Sequence, residues 1–272
     1  MKKYEFTGET KRVELWNRTA TLHRIKATVE FGFVKVGELG GWIEKEENLS
    51  HEGKAWVCDD AKVWGNAKVC GDAEVCDDAK VWGNAKVWGN AEVCNDAEVC
   101  DDAKVWGNAK VWGNAEVCND AEVWGNAKVW GNAKVCGDAK VCGDAKVCGD
   151  AEVWGNAKVC GDAEVCGDAK VWGNAKVCGD AKVWGNAKVC GDAEVFLASH
   201  VLVMGSVGSR NDFTTFFRDK DNEITVKCGC FLGKIDKFLE KVTQTHGNNK
   251  YALVYRAAVE VAKLQIELTE RK

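Results

Sequence analysis

From Ala61 to Asp192 the chain repeats one six-residue phrase, Ala-Lys/Glu-Val-Trp/Cys-Gly/Asp/Asn-Asn/Asp, in 22 copies without an insertion. Ala55–Asp60 and Ala193–Ala198 are degenerate copies, which brings the total to 24. Ala and Val stand two residues apart, so both side chains fall on one side of a strand. Lys/Glu and the Trp/Cys position fall on the other. The next two residues are Gly, Asn or Asp, which tolerate the positive φ of a tight corner. Each phrase therefore predicts one short strand and one corner. A helix is excluded, because a six-residue period does not keep one stripe on a 3.6-residue spiral. A strand this short cannot bury its face alone and must stack on its neighbours.

Three strands per coil give a three-walled prism of 18 residues per coil, with Ala and Val inside, and 24 copies make about eight coils. At about 4.8 Å per coil the prism is roughly 38 Å long. The same period places residue i on i+18, so Val87 is expected between Val69 and Val105. It also sorts the outward positions into ladders, of which Trp88, Trp106 and Trp124 form the clearest.

The flanks lack the phrase. In residues 1–54, Thr19–Phe31 alternates like a strand and a Gly-rich turn follows, which predicts a small β cap over the open edge of the first coil. The array proper is assigned to 55–204. In 205–272, Phe213–Phe217 and Glu223–Cys228 read as a hairpin. Ile235, Phe238, Leu239 and Val242 have helical spacing. His246–Asn249 ends that helix. Leu253, Val254, Ala257, Ala258, Val261 and Leu264 lie along one face of a second, the face expected to pack inward. The expectation is a C-terminal α+β cap of one hairpin and two helices.

Composition adds limits. The chain has 272 residues, no Pro, 15 Cys, 13 Trp and a net charge of −5. A general nucleic-acid binder is usually basic, so no nucleic-acid partner is expected. No run of 18 apolar residues is present, so no membrane span is expected either. The opening residues show no secretory segment, which predicts a cytoplasmic chain with reduced, structural thiols.

The array resembles the hexapeptide-repeat left-handed β-helix superfamily, and the left hand is what that resemblance implies. The leader narrows it: His23-Arg24-Ile25-Lys26-Ala27, Gly37-Glu38-Leu39-Gly40-Gly41-Trp42-Ile43-Glu44 and Glu47-Asn48-Leu49-Ser50 resemble a bacterial and prophage-associated group of acyltransferases of the YdcK type. The resemblance covers about residues 20–204. It implies acetyl-coenzyme A chemistry with a His base, yet the 24 hexapeptide copies hold no His. His51 or His200, at the array's ends, would have to serve.

Other chemistries fit less well. A straight thiol ladder does not converge on a metal as zinc requires, and Cys228-x-Cys230 has no second pair, so no metal and no cofactor are expected. An outward Trp ladder exposes apolar area of the kind that marks interfaces, although mutual stacking of the indoles would shield the sheet instead. The dense polar run in the tail, Ser209, Arg210, Asn211, Asp212, Thr214, Thr215 and Arg218, is the other candidate binding surface. The reading is a non-enzymatic β-solenoid scaffold. It presents Trp88, Trp106 and Trp124, or the capped end with Arg210, Asn211, Asp212, Thr214, Thr215 and Arg218, to a protein partner or to itself. The alternatives are a hexapeptide-type acyltransferase and a phage-borne inhibitor or ligand-sequestering protein acting on host machinery.

Overall fold

The computed structural model describes residues 2–14 and 19–268. The chain forms two compact units, Met1–Asp144 and Ala145–Lys272, each built on parallel β-solenoid coils.

In the first unit, two-residue strands at the Lys/Glu-Val positions stack in parallel on three walls. Val87 pairs with Val69 on one side and Val105 on the other, as the 18-residue register requires. From Ala55 to Val195 every Ala and Val side chain is buried. Backbone bonds tie coil to coil, for example Lys104 N–H to Ala121 O at 2.9 Å and Trp106 N–H to Val123 O at 3.0 Å. A core of such small side chains depends on this ladder, since every unpaired buried peptide group would carry a penalty.

Coil geometry begins before the repeat. Strand β3 (Leu39–Ile43) pairs in parallel with the first array strand of its wall, Ile43 against Val63, and Leu49 bridges Val69. The offset there is 20 residues instead of 18, so part of the expected cap is itself coil. The hairpin of β1 (Tyr4–Glu14) and β2 (Thr19–Ala27) adds antiparallel to β3 and closes that sheet edge. Trp64 is 5% exposed because Ala20 and Leu22 of the hairpin and Trp42 pack around it.

The second unit carries three walls of the same kind, with Val153, Val171 and Val189 in register on one of them. A four-stranded antiparallel sheet follows: β4 (Val201–Val207), β5 (Asp212–Arg218), β6 (Ile224–Cys228) and β7 (Phe231–Lys234). Strand β5 closes the last coil. Lys188 N–H donates to Thr215 Oγ1 at 2.9 Å, Arg218 donates to Glu194 O at 3.2 Å, and Lys220 N–H donates to Asp192 O at 3.0 Å. Helices α1 (Ile235–His246) and α2 (Lys250–Gln265) cover the sheet. Asn249 caps α2 by accepting from the N–H groups of Tyr251 and Ala252.

Two expectations are corrected here. The face of α2 expected to pack inward faces solvent, apart from Ala258: Leu253 is 58% exposed and Leu264 89%. Ala252, Tyr255, Ala258, Val259, Ala262 and Ile266 pack instead. The array cysteines are not all free thiols either. Cys58–Cys76, Cys148–Cys166 and Cys160–Cys178 are disulfides, joining residues one coil apart whose Cα atoms lie 4.7, 4.7 and 4.6 Å from each other. In-register stacking brings such pairs inside the span a disulfide bridges. Among the described residues no helix is long and apolar enough to cross a membrane.

Candidate binding site in the C-terminal cap

On the walls, outward side chains meet copies of themselves. Trp88–Trp106 and Trp106–Trp124 stack with ring centroids 4.9 and 5.0 Å apart and planes within 3° and 5° of parallel. All three indoles are half-buried, and Trp106 has both ring faces occupied. Corner amides chain similarly: Asn90 Nδ2 donates to Asn108 Oδ1 and Asn108 Nδ2 to Asn126 Oδ1, each at 3.0 Å. Lys and Glu pair from coil to coil, as Lys80–Glu98 does at 2.8 Å. Repetition alone produces these contacts, because identical groups 18 residues apart are brought into register.

The histidines at the array's ends are held by the fold. His51 Nδ1 accepts from Lys3 N–H at 3.2 Å, and its ring stacks on Tyr4. His200 is 6% exposed and its Nδ1 accepts from Phe196 N–H. Burial, with the Arg218 charge adding to it, holds the His200 imidazole below its ordinary value. Cys58, Asp59 and Cys76 bring potential metal ligands within 4.8 Å of one another, but both sulfurs belong to a disulfide.

The polar run of the tail divides. Thr214, Thr215 and Arg218 are buried and serve the fold. Thr214 Oγ1 donates to Cys228 Sγ, Thr215 meets the last coil, and Arg218 Nε donates to Asn222 Oδ1 at 2.9 Å. Asp212 accepts from the N–H of Phe213 at 2.7 Å. Asn211 takes the turn, with φ of 51°. Ser209 and Arg210 line a pocket.

That pocket measures about 380 Å³. Phe231, Phe238, Val242 and Tyr255 give it an apolar lining, and Ser209, Arg210, Lys241 and His246 bring polar groups to it. The β4–β5 turn supplies Ser209 and Arg210, and α1 supplies Lys241 and His246. Ser209 Oγ lies 3.3 Å from His246 Nε2, and His246 stacks on Tyr255. Burial, and after it Cys228 4.0 Å away, push the Tyr255 hydroxyl above its ordinary value. Arg210 lies over Gly229, where an added Cβ would come 2.9 Å from the guanidinium. The φ of +54° at Gly229 favours glycine as well. Arg210 and Lys241 have no counter-ion among the described residues, unlike most lysines of the walls.

Sequence reasoning took His246 for part of a helix break and did not connect it with Ser209. Their separation of 37 residues carries no periodic signal. The one available cue was that each stands beside a turn of the same small cap.

The chain is similar to hexapeptide-repeat β-helix proteins. No family model matches it. Over 88 residues it is 30% identical to a protein of Escherichia coli (strain K12) named "Uncharacterized acetyltransferase YdcK". The match takes in 30% of this chain and 27% of that protein, so the chain spans about a quarter of the relative's length.

Proposed function

We propose that the chain is a binding scaffold, in which the coils are rigid structure and the C-terminal cap presents the ligand site to a partner. The observation that carries this reading is the pair Arg210 and Lys241, two cations without counter-ions among the described residues, beside an apolar pocket. The complementary group is a phosphate or carboxylate attached to an apolar body. On a chain of net charge −5, such a local basic site selects its ligand by chemistry and not by overall attraction.

A second reading, acyl transfer, is favoured by one feature of the same pocket. Ser209 and His246 form a hydroxyl–imidazole pair, His246 could take a proton from an acceptor group, and the two cations suit the phosphates of coenzyme A. The similarity to a protein named as an acetyltransferase points the same way. The histidines at the ends of the array do not, since their Nδ1 atoms already accept from backbone N–H groups.

Calorimetric titration of the full chain with coenzyme A and with acetyl-coenzyme A tests both readings. The scaffold reading expects similar affinity for the two and no thiol release from the acetyl form. The double variant Arg210→Ala/Lys241→Ala should bind about tenfold more weakly, two rim contacts contributing roughly 1.4 kcal/mol together. Thiol release coupled to acetylation of an added amine or hydroxyl acceptor, and lost in His246→Ala, would establish acyl transfer instead. Absence of binding by the unmodified chain would remove the pocket from both readings.

A further inference from the structure

The outward Lys/Glu position of the array is an ion ladder with one gap. Seven of the eight glutamates from Ala61 to Ala198 meet a lysine one coil away. Glu92 pairs with Lys110 at 2.8 Å, and Glu122 lies between Lys104 and Lys140. Glu74 is the exception. Its in-register neighbours are Trp56 and Glu92, and it has no cationic partner among the described residues. Like charges directly opposite one another on adjacent strands destabilise a sheet. Where this recurs, as at Glu98 opposite Glu116, each glutamate pairs with a lysine on its other side, and Glu74 has none among the described residues.

Glu74 lines a cleft of about 610 Å³ within the first unit, formed where the segment after β2 overhangs the wall. Phe31, Phe33 and Trp56 are its aromatic surfaces, and Glu38, Glu74 and Glu92 bring carboxylates. Its basic residue, Lys54, is engaged with Asp72 through both its backbone N–H and its ammonium. Phe33 is 95% exposed, whereas Trp56 is 3% exposed and its Nε1 has no hydrogen-bond partner. A buried indole N–H is normally satisfied. The protein already uses cation–aromatic chemistry beside this cleft, because Lys3 Nζ sits over the Phe31 ring at 4.9 Å.

We propose that this cleft binds the arginine or lysine side chain of a peptide segment from another protein. The carboxylate of Glu74 meets the cation, the aromatic surfaces take the aliphatic stem and the charged head, and the peptide backbone on either side fills the rest of the cleft. A free alkyl cation offers the charge but fills only part of a cleft of about 610 Å³. The site is separate from the C-terminal pocket, and neither proposal depends on the other.

The test is a titration followed by the Trp56 indole resonance in NMR spectra of the full chain. The probe is N-acetyl-arginine methylamide, with N-acetyl-norleucine methylamide and n-butylguanidinium as controls. The proposal expects saturable shifts with the arginine probe below about 10 mM, a weak but specific range. Glu74→Gln should weaken binding about fivefold, the upper range for one exposed ion pair. Glu74→Lys should abolish it while keeping or raising the melting temperature, because lysine belongs to the repeat phrase and would pair with Glu92. Unchanged binding by Glu74→Lys, equal binding of the norleucine compound, or no saturation by the unmodified chain would overturn the proposal. Equally tight binding of n-butylguanidinium would overturn the peptide as occupant.

Discussion

Replacing Trp88, Trp106 and Trp124 together with Thr lowers the melting temperature by roughly 5–10 °C and leaves the mass in solution unchanged. The triple change removes two parallel ring stacks. An aromatic pair contributes about 0.5–1.5 kcal/mol beyond its area, and the half-buried indoles add a share of the area they remove from water, so the loss is about 2–4 kcal/mol. For a chain of this size each kcal/mol moves the midpoint by about 2–4 °C. Thr retains strand propensity, and the Ala and Val interior is untouched. Thermal melts and light scattering on the same samples decide the matter. A changed mass with an unchanged midpoint would make this wall an interface and not a cover.

Gly107→Val costs about 2–4 kcal/mol, whereas Gly107→Asn costs less than about 1. The corner at Gly107 has φ of +74°, and an added Cβ would lie 3.0 Å from the backbone N and O of Gly125. Any side chain brings that Cβ contact, but a β-branched one adds a second γ carbon that the left-handed backbone crowds, whereas Asn adopts this conformation readily. The array shows which side chains such a corner accepts: Asp59, Asp77, Asn95, Asp101 and Asn119 all hold positive φ. Each of those five follows a Cys and is exposed, while every Trp from Ala61 to Asp192 is followed by Gly. Urea denaturation of the two variants measures the difference. Equal stability would mean that the corners are not the rigid points of the coil.

The solenoid was legible because one phrase sets strand, corner and register at once. A slip of one residue would turn every Val outward, so Val87 has only one place to go. Sequence alone was less informative where the phrase stops. Helix α2 carries two apolar stripes, one rich in Leu and Val and one in Ala with Tyr255, Val259 and Ile266. Hydropathy favours the first. The small side chains of the second let the helix approach the sheet closely, and Tyr255 meets Phe238 edge to face with centroids 5.5 Å apart. That choice depends on the sheet's surface, which no helical period encodes. The unpaired Glu74 was readable in principle, because the 18-residue register already places it between Trp56 and Glu92. The pocket was not, since Ser209 and His246 meet only through the folding of the cap.

The central claim, that the coils are structure and the ligand site lies in the C-terminal cap, is tested most directly by amide hydrogen exchange with and without saturating acetyl-coenzyme A. The account predicts increased protection around 208–211, 228–231 and 238–246, with exchange from 61 to 192 unchanged. Protection that rises along the coils and leaves the cap unaltered would contradict it.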